Sequence, residues 1–179
     1  MSPGWMSSGP WGGSVDDWSL ELDSVAKTRR LGETLGKCLF GGAVILLSGE
    51  LGAGKTSLTQ ALAKGLGVPD DEPVSSPSYT LMNHHRGRLD LYHFDLYRLS
   101  DKDELFELGF DEYLHDEGVT VVEWFDRVPD LRPEGLEITL AYKGEDARCA
   151  TLTARGVRYR RLLNDLRQNW ENQEASIAR

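Results

Sequence analysis

The chain has 179 residues, with 29 acidic against 20 basic side chains and a formal net charge of −9. That length suits one α/β domain with a filled core and short tails, and leaves no room for a second sizeable domain. The acidic balance gives no overall positive field for a phosphate backbone, which argues against direct, non-specific nucleic-acid binding.

Residues 1–17 are rich in Gly, Ser, Pro and Trp without a period, the composition of a flexible extension. A short strand over Trp18–Leu22 leads into a helix from Ser24 to Phe40, in which Val25, Leu31, Leu35 and Leu39 share one face. Gly41-Gly42 ends it. The apolar run Ala43–Leu47 reads as a strand buried on both faces, a glycine-rich turn follows, and a second helix runs from Lys55 to Leu66. Asp70–Ser78, with its acids, prolines and serines, is a loop before an extended segment at Tyr79–His84.

Arg86-Gly87-Arg88 marks a hairpin turn into an alternating strand over Leu89–Tyr97. One or two short acidic helices occupy residues 101–116, and Val119–Trp124 is a second strongly apolar strand. Leu136–Tyr142 and Arg148–Thr153 pair around the polar turn 143–146 as a β-hairpin that closes a domain spanning 18–159. Residues 160–179 form a charged helical tail carrying Leu162, Leu163 and Leu166. No apolar run approaches the roughly 20 residues needed to span a bilayer, and the start lacks the features of a secretion signal. A cytoplasmic protein without membrane contact is expected, in which Cys38 and Cys149 are small buried hydrophobes of a reducing compartment.

The segment Gly49-Glu50-Leu51-Gly52-Ala53-Gly54-Lys55-Thr56 matches the pattern G-x-x-x-x-G-K-[ST] and lies between a buried strand and a helix, where the pattern's mechanism requires it. Its glycines let the loop curl so that backbone N–H groups, continuing into Ser57, point at phosphate oxygens beside a helix N-terminus. Lys55 is placed for β- and γ-phosphates and Thr56 for Mg²⁺. ATP, or a close nucleoside triphosphate, with Mg²⁺ is therefore the expected ligand.

Such a site needs further carboxylate oxygen at neighbouring strand ends, to hold the metal and order a water. Glu123 closes the strand from Val119, and Asp95 lies near the end of the strand from Leu89. Both can converge on the mouth of the loop, as ligands in open α/β sheets collect at carboxyl strand ends. Each acid also suits a cap or a surface ion pair, and the phosphate-binding loop is what favours the functional reading. Arg98 can reach a phosphate or the acidic helix at Asp101 and Glu104. Trp124 can shield the site from water or serve as core.

In these segments the chain closely resembles the TsaE family, the small bacterial ATPases of tRNA threonylcarbamoyladenosine biosynthesis. The resemblance runs from roughly Asp23 to Thr153, with Thr28 and Leu31-Gly32 in the first helix, the loop at 49–56, Ser76-Pro77-Ser78-Tyr79-Thr80, His93-Phe94-Asp95-Leu96-Tyr97-Arg98 and Glu123-Trp124. Ser78 stands where the family usually has Thr. The resemblance implies a three-layer α/β fold of the P-loop NTPase kind, with a mixed, largely parallel central sheet and a C-terminal β-hairpin. It implies Mg²⁺ held by Thr56 and Glu123, Asp95 as a further metal-side or catalytic group beside Lys55 and Glu123, and a nucleotide contact near Thr28. It also implies TsaB- and TsaD-type partners, with ATP hydrolysis supporting repeated cycles of tRNA modification and transfer to adenosine on the TsaD partner, so that tRNA is met only through the complex.

A small-molecule kinase would use the same loop, but such kinases usually carry an arginine-rich lid, and Asp101–Glu117 is acidic with no arginine. A GTPase would show an Asn-Lys-x-Asp segment, and none occurs. A nucleotide-gated binding module with incidental hydrolysis needs the same pocket and stays open on sequence alone.

Overall fold

The computed structural model describes residues 16–179. In chain order its elements are β1 (Asp17–Leu22), α1 (Val25–Cys38), β2 (Val44–Gly49), α2 (Lys55–Gly65), β3 (Met82–His85), β4 (Leu91–Asp95), α3 (Lys102–Glu107), α4 (Phe110–Leu114), β5 (Val119–Glu123), β6 (Gly135–Tyr142), β7 (Arg148–Arg155) and α5 (Val157–Ile177). One seven-stranded sheet takes the order β1-β7-β6-β2-β5-β4-β3. β6, β2, β5 and β4 run parallel, while β7 and β3 are reversed and β1 turns back to the common direction.

The apolar run of β2 is explained by this position. Ile45 and Leu47 enter a core shared with Leu31 and Leu35 of α1, Leu58 and Leu62 of α2 and Leu162 of α5. Val44 and Leu46 point the other way, into a second core with Phe94, Leu105 of α3 and Phe110 of α4. Helices thus cover both faces at the sheet centre, the three-layer α/β arrangement expected. β2 therefore ends at a fixed height with both neighbours parallel to it, and the loop after Gly49 opens at the carboxyl edge of the sheet.

Several expectations shift. Most of the residues 1–17 extension lies outside the described residues, but Asp17 pairs with Thr153 and Asp16 accepts a hydrogen bond from Ala154 N, so both belong to the sheet edge. The segment Tyr79–His84 becomes a strand only from Met82, because residues 79–80 turn and Leu81 has a left-handed φ of 65°. The strand over Leu89–Tyr97 shortens to Leu91–Asp95, since Tyr97 N turns back to the Asp95 carboxylate. Residues 160–179 are no tail. α5 starts at Val157 and buries Tyr159, Leu162, Leu163, Leu166 and Trp170, and the Val44 N–H donates to the Tyr159 hydroxyl at 2.9 Å. Cys38 and Cys149 are free and only half-buried.

Candidate functional site

The loop between β2 and α2 turns on three glycines in left-handed backbone conformations, with φ of 142° at Gly49, 78° at Gly52 and 106° at Gly54. A side chain at Gly49 would also meet the Leu140 carbonyl at 2.4 Å. The β6–β7 hairpin braces the loop from outside. The Tyr142 hydroxyl donates to Leu51 O at 2.8 Å, and Arg148 Nε donates to Ala53 O at 3.0 Å. Neither brace is part of the loop motif, which is why the sequence pattern alone did not point to them.

Lys55 opens α2 and turns back over this loop, its ammonium donating to Gly49 O at 2.5 Å and Glu50 O at 2.8 Å. The Trp124 ring covers the same ammonium at 3.9 Å, a cation–π contact worth about 0.5–2 kcal/mol. Trp124 reaches that position from a left-handed φ of 58° directly after β5. Its ring therefore shields the site rather than simply filling core. Burial lowers the Lys55 ammonium below its ordinary pKa, against the opposing pull of Glu123, Asp126 and Asp95.

β4 and β5 place their last residues, Asp95 and Glu123, side by side in parallel register, and both carboxylates are buried. Two buried acids in adjacent strands repel, so each needs donors or cations. Asp95 accepts from Ser76 Oγ on one oxygen and from Tyr97 N at 2.9 Å on the other. Glu123 accepts from Thr56 Oγ1, 3.3 Å from each of its oxygens, and from His93 Nε2 at 2.8 Å on Oε1. The structure thus brings Lys55, Thr56, Asp95 and Glu123 to one place. It adds Ser76 and His93, which the sequence offered only as members of the resembling segments, since their partners depend on how β4 meets β5 and the loop before β3.

An open cleft of about 400 Å³ lies over this cluster, and Leu51, Gly52, Gly54 and Ser57 reach its lining from the loop side. Ser78, Tyr79 and Arg98 line it from the opposite side. The Arg98 guanidinium stacks over the Tyr79 ring at 4.5 Å and joins no ion pair with Asp101 or Glu104 among the described residues. Thr28 is not among the lining residues. It is buried in the first turn of α1, and among the described residues its hydroxyl reaches only the Ser24 carbonyl, at 3.5 Å.

Among the described residues, no three His, Cys, Asp or Glu side chains converge into a metal cage. Thr56 and Glu123 instead offer a hydroxyl and a carboxylate, the hard and incomplete oxygen set that suits Mg²⁺ when phosphates and water supply the remaining ligands. The arrangement could hold a polyanion beside a small hard cation. Among the described residues, no helix is long and apolar enough to cross a membrane.

The family model described as "Threonylcarbamoyl adenosine biosynthesis protein TsaE" matches residues 22–150. The tRNA threonylcarbamoyladenosine biosynthesis protein TsaE of Bacillus subtilis is 43% identical over 127 residues, which cover 70% of this chain and 78% of that protein. The protein of the same name from Streptomyces coelicolor is 39% identical over 140 residues, covering 73% of this chain and 93% of its own. In three dimensions the chain is similar to the crystal structure of Bacillus subtilis YdiB, with a TM-score of 0.74 and 34% identity over 86% of this chain and 95% of that one. Matched over residues 22–150, most of its length, the chain belongs to the TsaE family of tRNA threonylcarbamoyladenosine biosynthesis.

Proposed function

We propose that this protein binds and hydrolyses ATP with Mg²⁺ as an accessory to tRNA threonylcarbamoyladenosine formation, working with TsaB- and TsaD-type partners. The observation that carries the reading is the Thr56–Glu123 oxygen pair, held at 3.3 Å where a phosphate-binding loop opens beside Lys55. The Lys55 ammonium is satisfied by two carbonyls of its own loop until phosphate oxygens replace them as acceptors. The N–H groups of Gly52, Gly54, Lys55 and Thr56 then cradle the phosphates at the start of α2. Thr56 and Glu123 would hold the metal, which when bound would supply neutralisation of the phosphate charge.

Asp95, whose carboxylate accepts from Ser76 Oγ and Tyr97 N, is the second acid at the same height and would accept a hydrogen bond from the attacking water. The Trp124 ring lies over the Lys55 ammonium at the mouth of the loop, and turnover by the isolated protein is expected to be slow and to depend on the partners. The net charge of −9 suits a subunit that leaves the grip on tRNA to its partners.

The test is Mg²⁺-dependent ATP turnover by the purified protein, alone and with a TsaB–TsaD pair plus tRNA. Stimulated turnover together with modified tRNA is the expected result. No response to those partners would overturn the accessory reading, and ADP release tied to a phosphorylated small hydroxyl compound would establish a kinase instead.

A further inference from the structure

His93 lies on β4 one pleat before Asp95, in register with Val121 of β5. Its ring is wholly buried on the face toward α1 and α2, where Leu91 and Val121 are core aliphatics. Packing alone would favour a leucine there. Among the described residues the ring makes one side-chain hydrogen bond, from Nε2 to Glu123 Oε1 at 2.8 Å, and its buried Nδ1 has no partner. A carboxylate only accepts, so the bond places the imidazole proton on Nε2.

Glu123 needs such a holder. Thr56 Oγ1 is equidistant from its two oxygens, at 3.3 Å, and does not select between them. Asp95 stands beside it and repels it. We propose that His93 is a positioning residue for Glu123, pinning Oε1 so that the remaining lone pairs of the carboxylate face Thr56 and the cleft. The proposal rests on the Mg²⁺–nucleotide reading above. His93 itself touches neither phosphate nor metal in that reading and acts through Glu123. Partners that orient a metal-side carboxylate typically alter metal affinity about 10–100-fold.

The experiment measures ATP affinity by calorimetry across a Mg²⁺ titration and in EDTA, for the unaltered protein, His93→Leu, His93→Gln and His93→Asn, with thermal denaturation as the check on folding. Gln carries a donor near the position of Nε2, whereas Asn is too short to reach Glu123. His93→Leu and His93→Asn are expected to raise the Mg²⁺ concentration at half-maximal affinity by about tenfold. Affinity in EDTA is expected to stay within twofold, and His93→Gln to recover most of the shift. If His93→Leu fails to fold, the Gln and Asn variants alone carry the comparison.

A Mg²⁺ midpoint unmoved in His93→Leu and His93→Asn would overturn the proposal. So would an equal loss in EDTA, or a Gln variant as impaired as Asn. If the unaltered protein shows no Mg²⁺ dependence, the nucleotide reading itself falls and takes this proposal with it, which separates the two failures.

Discussion

Gly36→Ala tests how α2, and with it Lys55 and Thr56, is held in place. α1 and α2 meet along a seam of small residues. A Cβ at Gly36 would lie 2.2 Å from Leu62 O and 2.9 Å from the Gly65 Cα, and one at Gly65 would lie 2.3 Å from Glu33 O. These neighbours are backbone, so no side-chain rotation relieves the clash and the helices must part by roughly 1 Å to restore ordinary contact. Overpacking of this kind costs about 1–3 kcal/mol, and the unyielding contact places Gly36→Ala near the upper end.

Alanine regains about 1 kcal/mol of helix propensity, leaving a net loss of about 2 kcal/mol. For a domain of this size that lowers Tm by about 4–8 °C. Thermal denaturation monitored by circular dichroism reads the shift, with Lys37→Ala, one residue on and exposed, as a control expected to change little. Because α2 carries Lys55 at its start, a shift of this size is also expected to weaken ATP binding. An unchanged or raised Tm for Gly36→Ala would refute the packing argument.

Tyr159→Phe strands the buried Val44 N–H at the start of β2 and is expected to cost about 1–3 kcal/mol, read as a lower urea midpoint with an unchanged m-value. Glu123→Gln keeps the shape but removes the charge, so Mg²⁺-dependent turnover should fall at least about 10²-fold while ATP affinity in EDTA changes little; equal turnover would make Glu123 a structural acid. Burial lowers the Lys55 pKa in the free protein, and a bound phosphate would raise it again. Below the free-protein pKa the ammonium is already charged and affinity is level. Above it, binding takes up a proton and affinity falls with rising pH, by up to about tenfold per unit. Calorimetry at alkaline pH in two buffers of different ionisation heat should show proton uptake, and proton release would contradict the assignment.

The parts of this fold legible in the sequence are those in which one segment carries its own constraint. The run Ala43–Leu47 is apolar because both sheet faces are covered, and Gly49, Gly52 and Gly54 adopt backbone that other residues avoid, so strand, loop and helix start could be placed directly. Asp95 and Glu123 were legible as strand-end acids. Their mutual register was not, because it follows from β4 and β5 becoming neighbours. His93 and Ser76 stood in the segments that carry the resemblance, but their partners, 30 and 19 residues away in the chain, follow from how β4 meets β5 and the loop before β3. α5 looked like a charged tail because its mostly polar sequence buries only a narrow stripe, of which Tyr159 and Trp170 do not follow an aliphatic pattern. Trp124 was ambiguous for a different cause, since only its left-handed backbone turns the ring onto Lys55.

The proposed function has this cleft bind ATP together with Mg²⁺ through Lys55, Thr56 and Glu123. Its most direct test is an ATP titration of the purified protein by calorimetry, with Mg²⁺ and with EDTA, beside Lys55→Ala. Binding that tightens with Mg²⁺ and disappears in Lys55→Ala is the predicted result. Binding that ignores Mg²⁺, or that survives unchanged without the Lys55 ammonium, would contradict the account.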